Sequence, residues 1–114
     1  MADCLFCGIV SGKIPGDMVY QDAEVAAFRD VNPQAPVHIL VVPVQHIATV
    51  NDVEAEHHAL LGKMVSVAKS LAQQEGIAED GYRLVLNCNA AGGQSVFHIH
   101  LHLLGGRQMQ WPPG

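Results

Sequence analysis

His98-Ile99-His100-Leu101-His102-Leu103-Leu104 alternates imidazoles with aliphatic side chains, and its reading decides the fold. Alternate side chains of an extended strand share one face. The stretch from Phe97 to Leu104 therefore predicts a strand with His98, His100 and His102 on one side. Ile99, Leu101 and Leu103 form the other side and read as core. Imidazoles are poor core material, because each ring brings nitrogens that need partners.

Three uses fit such a row. The histidines can be the polar face of a half-exposed strand. They can bind a metal, although same-face neighbours stand roughly 6.5–7 Å apart at Cα and three on a straight strand converge poorly; His38 is then the natural additional ligand. Or one imidazole attacks as a nucleophile while its neighbours orient it and manage protons. The preceding Gly92-Gly93-Gln94-Ser95 favours the third use. Glycines let the backbone approach a ligand and free N–H donors for phosphate oxygens, and Ser95 adds a hydroxyl.

Working outward, turn signals punctuate a compact series of elements. Leu5 to Val10 predicts a short helix closed by Ser11-Gly12. Val19-Tyr20 and Glu24 to Phe28 read as strands joined by Gln21-Asp22. Asn32-Pro33-Gln34-Ala35-Pro36 must be a loop, and the β-branched run Val37 to Pro43 reads as a central strand. The longest helix is expected to be capped by Asn51, with Glu54 three residues on. Its buried stripe is Leu60, Met64, Val67 and Leu71, and Gly76 is the left-handed stop. Tyr82 to Asn87 reads as a further strand, followed by the loop Asn89-Ala90-Ala91-Gly92-Gly93. Most connections are too short for parallel crossovers. The expectation is one α+β domain over residues 1–114, an antiparallel sheet with one long and one short helix.

Six basic against eleven acidic residues give a net charge of −5, and no basic cluster is present to follow a phosphate backbone. Nucleic acid is not an expected partner. No apolar run reaches the roughly 18 residues that span a bilayer, so no membrane association is expected. Met1-Ala2-Asp3-Cys4-Leu5 lacks the pattern of a signal peptide, and a cytoplasmic location is the expectation. The odd count of three cysteines suits a reducing compartment.

The full segment Gly92 to Arg107, together with Phe28-Arg29-Asp30-Val31-Asn32-Pro33-Gln34-Ala35-Pro36 and the ending Trp111-Pro112-Pro113-Gly114, resembles the histidine triad (HIT) family, and its Hint branch in particular. The resemblance runs from Phe6 to Gly114. It implies a HIT-like fold, a homodimer with the sheet continued across the interface, and a phosphoramidase that splits the P–N bond of purine nucleoside phosphoramidates. It implies His100 as the nucleophile, with His98, His102 and His38 completing the set. By the same match Ser95, Asn87 and the Gly93 backbone hold the phosphate, and Asp30 holds the ribose. Phe6, Ile9, Phe28 and Val31 correspond to the base pocket, and Trp111 to the leaving-group side near a partner's site. No metal is required for that chemistry. Two neighbouring readings remain: a dinucleoside polyphosphate hydrolase, and a nucleotide-binding regulatory protein with vestigial hydrolysis.

Some of these residues also have plainer roles. Asp30 before Asn-Pro suits a turn former, and Trp111 reads either as a buried packing anchor or as part of a loose tail. Cys4-Leu5-Phe6-Cys7 is half of a tetrahedral zinc site, with His46, His57, His58 and His98 available to complete it. Zinc-binding relatives of the family point to His46 and His98, giving Cys4, Cys7, His46 and His98 as a structural zinc site. Cys88 reads as a buried strand residue, and His57 and His58 as solvent-facing.

Overall fold

Val37-His38-Ile39-Leu40-Val41-Val42-Pro43 is apolar at nearly every position, as a strand covered on both faces must be, and it forms the middle strand of a five-stranded antiparallel sheet. The computed structural model describes residues 4–114. Met1-Ala2-Asp3, on which part of the expected lack of a signal peptide rests, lies outside the described residues. In chain order the elements are α1 (Leu5–Ser11), β1 (Met18–Gln21), β2 (Val25–Arg29), β3 (Val37–Pro43), α2 (His58–Gln74), β4 (Tyr82–Leu86) and β5 (Leu101–Gly105). In space the strands run β1-β2-β3-β5-β4, so the last strand of the chain lies between β3 and β4.

Alternation along the strands sorts the side chains onto two faces. Val25, Ala27, Ile39, Val41, Leu101 and Leu103 point to α2 and pack with Met64, Val67, Ala68 and Leu71. Ala26, Phe28, Leu40 and Val42 point the other way and pack under Phe6 of α1. His38 and His102 share that second face, because His38 pairs across the ladder with Leu104 and Leu40 with His102. The expected α+β architecture, the central strand and the α2 stripe are all present, with Leu60 only partly buried at the margin.

Four local expectations differ from the structure. The strand at the histidines begins at Leu101 rather than Phe97. β3 ends at Pro43, which has no N–H for the ladder, and Ile99 N–H instead donates to the Ile47 carbonyl at 2.8 Å. His98 and His100 therefore sit on a bent segment ahead of β5. The long helix begins at His58, not after Asn51. Two short 3₁₀ turns precede it, and Thr49 and Asp52 form the capping box of the first. Cys88 lies beyond β4 and is only partly buried, and His57 is half-buried, its Nδ1 accepting from Glu54 N–H at 2.9 Å.

Gly76 closes α2 as expected, with φ of 76°. Gly92 and Gly93 are needed for different reasons. A Cβ on Gly92 would lie 2.5 Å from the Cys88 carbonyl oxygen. Gly93 has φ of 85°, in the left-handed region that favours glycine.

Candidate functional site

Phe6 and Ile9 on α1 and Phe28 on β2 form the floor of a cleft of about 340 Å³ that also reaches Asp30, Val31, Ser95, His100 and His102. Its far end is apolar, and its inner end carries imidazoles. Phe6 meets Phe28 edge-on at 5.2 Å between ring centroids and His100 at 5.0 Å. Val31 is fully exposed at the lip, where an apolar side chain gains by covering a flat ligand. Leu40, Ile14 and Val96 line the same cleft and carry no distinguishing sequence signal.

Backbone groups fix the protonation pattern of the histidines. His100 Nδ1–H donates to the His98 carbonyl at 2.9 Å, so its Nε2 keeps the lone pair. Gln34 N–H donates to His38 Nδ1 at 3.0 Å, which places the His38 proton on Nε2. His38 Nε2–H donates to His102 Nδ1 at 2.9 Å between the nitrogens, and the proton of neutral His102 is therefore on its own Nε2. The rings of His100 and His102 stand 4.9 Å apart. A bare nucleophilic nitrogen and an N–H donor thus lie side by side at the inner end of the cleft. The Gln34 main-chain donor has no sequence signal at all.

Burial favours the neutral form of His38 and His102. It pushes His102 down from 6.5 to about 4, with His100 and His38 acting in the same direction. His38 is also lowered by burial, partly offset by the Asp30 carboxylate, whose Oδ2 lies 3.4 Å from His38 Nε2. Asp30 Oδ1 accepts from Asn32 N–H at 2.8 Å. Asp30 is therefore both the turn former its sequence suggests and a carboxylate at the mouth of the cleft.

Gln94, which sequence reading passed over, holds the glycine loop. Its buried side chain donates to the carbonyls of Ala48 and Val96 and accepts from Asn89 N–H. Gly93 N–H is committed to the Ala90 carbonyl, so it is not a free donor. Among the described residues the N–H groups of Ser95 and Val96 have no such partner. Asn87 does not border the apolar cleft; it shares a smaller hollow with His38 and His102. Trp111 is not a buried anchor, being 81% exposed with the Arg83 guanidinium 5.9 Å from its ring centroid.

Behind His98 the expected sulfur–imidazole set comes together. Cys4 Sγ and Cys7 Sγ lie 3.3 and 3.5 Å from His98 Nδ1, and Cys7 Sγ lies 3.5 Å from His46 Nδ1. All four donor atoms fall within 4.8 Å of one another. Zinc bonds of about 2.0–2.3 Å in a tetrahedron separate their ligand atoms by distances of this order. His98 Nε2–H donates to the Pro43 carbonyl at 2.8 Å, which leaves Nδ1 as the ligating nitrogen. The residues fit zinc.

Fold and site together define a small α+β domain whose chemistry is carried by a set of backbone-oriented imidazoles. Residues 11–109 match the family model described as the HIT domain, and the chain belongs to that family. It is 59% identical over 107 residues to the purine nucleoside phosphoramidase of Escherichia coli strain K12, covering 94% of this chain and 90% of that protein. The 14 kDa zinc-binding protein of Zea mays is 52% identical over 112 residues, with 96% of this chain and 87% of that one covered. A solved HIT family hydrolase from Legionella pneumophila Philadelphia 1 superimposes with a TM-score of 0.97 at 58% identity, over 98% of this chain and 100% of the other. No helix among the described residues is long and apolar enough to cross a membrane.

The lowered histidine values make stability depend on pH. Between 6.5 and about 4 the unfolded chain binds a proton at position 102 that the folded chain refuses, so stability falls as pH drops through that window. His38 and His98, lowered by burial, act in the same sense. Glu75, which Arg29 holds below its ordinary 4.5, costs stability only at lower pH. Urea midpoints should therefore fall between about pH 7 and pH 5. An unchanged midpoint would show that these rings are not held neutral.

Proposed function

We propose that this chain is a purine nucleoside phosphoramidase that works through a nucleotidyl-histidine at His100. The observation that carries the reading is the pairing of a bare Nε2 on His100 with an Nε2–H on His102 at the end of an apolar cleft. The resemblance to a relative that bears this activity supports it.

The base lies against Phe6, Ile9, Phe28 and Val31, and Asp30 accepts from the ribose hydroxyls. In that pose the α-phosphorus meets His100, with the side chains of Ser95 and Asn87 and the N–H groups of Ser95 and Val96 holding its oxygens. An anionic phosphate next to His102 offsets the burial that keeps its value near 4, so the bound substrate draws a proton onto the His38–His102 pair. His100 Nε2 attacks phosphorus. The P–N bond breaks, and the departing nitrogen keeps the electron pair and takes a proton from His102. Water then attacks the phosphorus of the intermediate, gives a proton back to His102 and displaces His100. Donors fixed before the reaction stabilise charge as it develops on the phosphoryl oxygens.

The set Cys4, Cys7, His46 and His98 holds a structural zinc in this reading. Held by Cys4, Cys7, His46 and His98, zinc would tie α1, which forms the base wall, to the segment that carries His100. The chemistry of the reaction does not pass through it. The outer edge of β4 has no neighbouring strand among the described residues, and in this reading a second copy extends the sheet there, bringing the exposed Trp111 near the partner's leaving-group side.

Four measurements test these readings. Intact-protein mass spectrometry after a brief, acid-free quench with an adenosine phosphoramidate should show an added adenylyl group, absent in His100→Ala. His100→Ala should retain nucleotide binding while losing turnover by about 10⁴-fold or more. Wild-type-like turnover in that variant would discard the mechanism. No turnover of any phosphoramidate by the wild type would favour a dinucleoside polyphosphate hydrolase or a nucleotide-binding regulator. Protein purified without a His tag should carry about one zinc per chain, lost in Cys7→Ser; far less in the wild type removes the zinc site. Sedimentation at micromolar concentration should give a dimer, and monomer alone rejects the sheet extension.

A further inference from the structure

His102 borders two spaces. One is the apolar cleft, and the other is a hollow of about 220 Å³ lined by Gln34, His38, Arg83, Asn87, Arg107 and neighbours. Ladder register explains this lining. Val85 pairs with His102 and Arg83 with Leu104, so Arg83, Val85 and Asn87 alternate onto the same sheet face as His102.

No carboxylate lines this hollow. Main-chain carbonyls hold both guanidinium groups. Arg107 donates to the carbonyls of Gln34 at 3.0 Å and Gln108 at 3.2 Å, and Arg83 to that of Gln110 at 2.8 Å. Carbonyls orient a guanidinium without neutralising it, and both arginines keep unspent N–H donors. Two other cations do meet carboxylates, Arg29 with Glu75 at 2.8 Å and Lys63 with Asp22 at 3.0 Å and Glu24 at 2.9 Å, while Lys13 and Lys69 form no ion pair among the described residues. Asp80, in an adjoining groove, forms no ion pair with Arg83 or Arg107 among the described residues. In a chain of net charge −5, the two guanidinium groups thus have no carboxylate partner among the described residues; the carboxylate nearest His102, Asp30, lies on the side of the apolar cleft.

We propose that Arg83 and Arg107 form an anion subsite for the leaving group, so that the preferred substrates are phosphoramidates of amines bearing a carboxylate, as amino acids do. The proposal rests on the phosphoramidase reading above. In that reading the base fills the apolar cleft and the departing nitrogen takes its proton from His102, so the amine's substituent projects into the hollow on the His102 side. The carboxylate stays ionised throughout. Only the P–N bond breaks, and the subsite binds what departs. Arg83 and Arg107 are specificity residues and do not touch the reacting atoms.

The test compares adenosine 5′-phosphoramidates of glycine and of glycinamide, which match in size and differ in charge. The amide is the less basic amine and the better leaving group, so a preference for the carboxylate runs against intrinsic reactivity. In the wild type, kcat/KM for the glycine conjugate should exceed that for glycinamide by about tenfold, as expected for charge-assisted hydrogen bonds at a partly solvated site. The preference should shrink with added salt. Arg83→Gln and Arg107→Gln should each lower the ratio, and the double variant should bring it close to parity. Arg83→Lys should restore part of it, keeping charge without the planar fork. Urea midpoints show whether the variants are folded, and the wild-type ratio alone can refute the idea. A wild-type ratio at or below parity overturns the proposal and leaves the phosphoramidase reading standing. A preference that survives in the double variant overturns the assignment to these arginines. Hydrolysis of neither conjugate removes the phosphoramidase reading and this subsite with it.

Discussion

Pro43 has no N–H to give the strand beside it, and the site is arranged around that gap. Where β3 can no longer support a ladder, the chain ahead of β5 bends and Ile99 finds the Ile47 carbonyl instead. The Pro43 carbonyl turns to receive His98 Nε2–H. The His98 carbonyl, freed from strand pairing, receives His100 Nδ1–H. A regular strand through residues 97–100 would spend that carbonyl on a neighbour and leave the orientation of His100 unspecified.

Four imidazoles on a covered sheet face would be a heavy cost if their nitrogens lacked partners. Here each one has a defined neighbour, and no buried side-chain nitrogen or oxygen among the described residues lacks a hydrogen bond. The partners are mostly main-chain groups: Gln34 N–H for His38, the His98 carbonyl for His100 and the Pro43 carbonyl for His98. Main-chain partners do not titrate, so each fixes which ring nitrogen carries the proton of the neutral form. The same burial that makes the rings expensive favours the neutral form at His38, His98 and His102.

Much of this was legible in the sequence, because two periodicities carry it. Alternation at 98–104 separated the histidine side from the aliphatic side correctly, although the segment holding two of the histidines is bent. The continuous apolar run at Val37 to Pro43 announced a strand covered on both faces. The start of α2 was misread because Asn51 and Glu54 have cap-forming side chains, while the capping box that forms uses Thr49 and Asp52. Asp30 was ambiguous for a sound reason, since one carboxylate oxygen makes the turn and the other faces the histidines. The Gln34 donor was beyond reach, as was the commitment of the expected Gly93 donor to the Ala90 carbonyl. Both are set by how a turn disposes its main-chain N–H groups, and no side-chain pattern reports that.

The strand order β1-β2-β3-β5-β4 has a consequence for how the molecule comes into being. β5 is the last strand in the chain and lies between two strands made earlier. Until it emerges from the ribosome, β3 and β4 each present an open edge, and the aliphatic side of α2 is only partly covered. Nothing shorter than a chain that includes residues 101–105 can close this sheet. His98, His100 and His102 arrive with the segment that closes it, so a nascent chain released before that point lacks the imidazole centre as well as a complete fold.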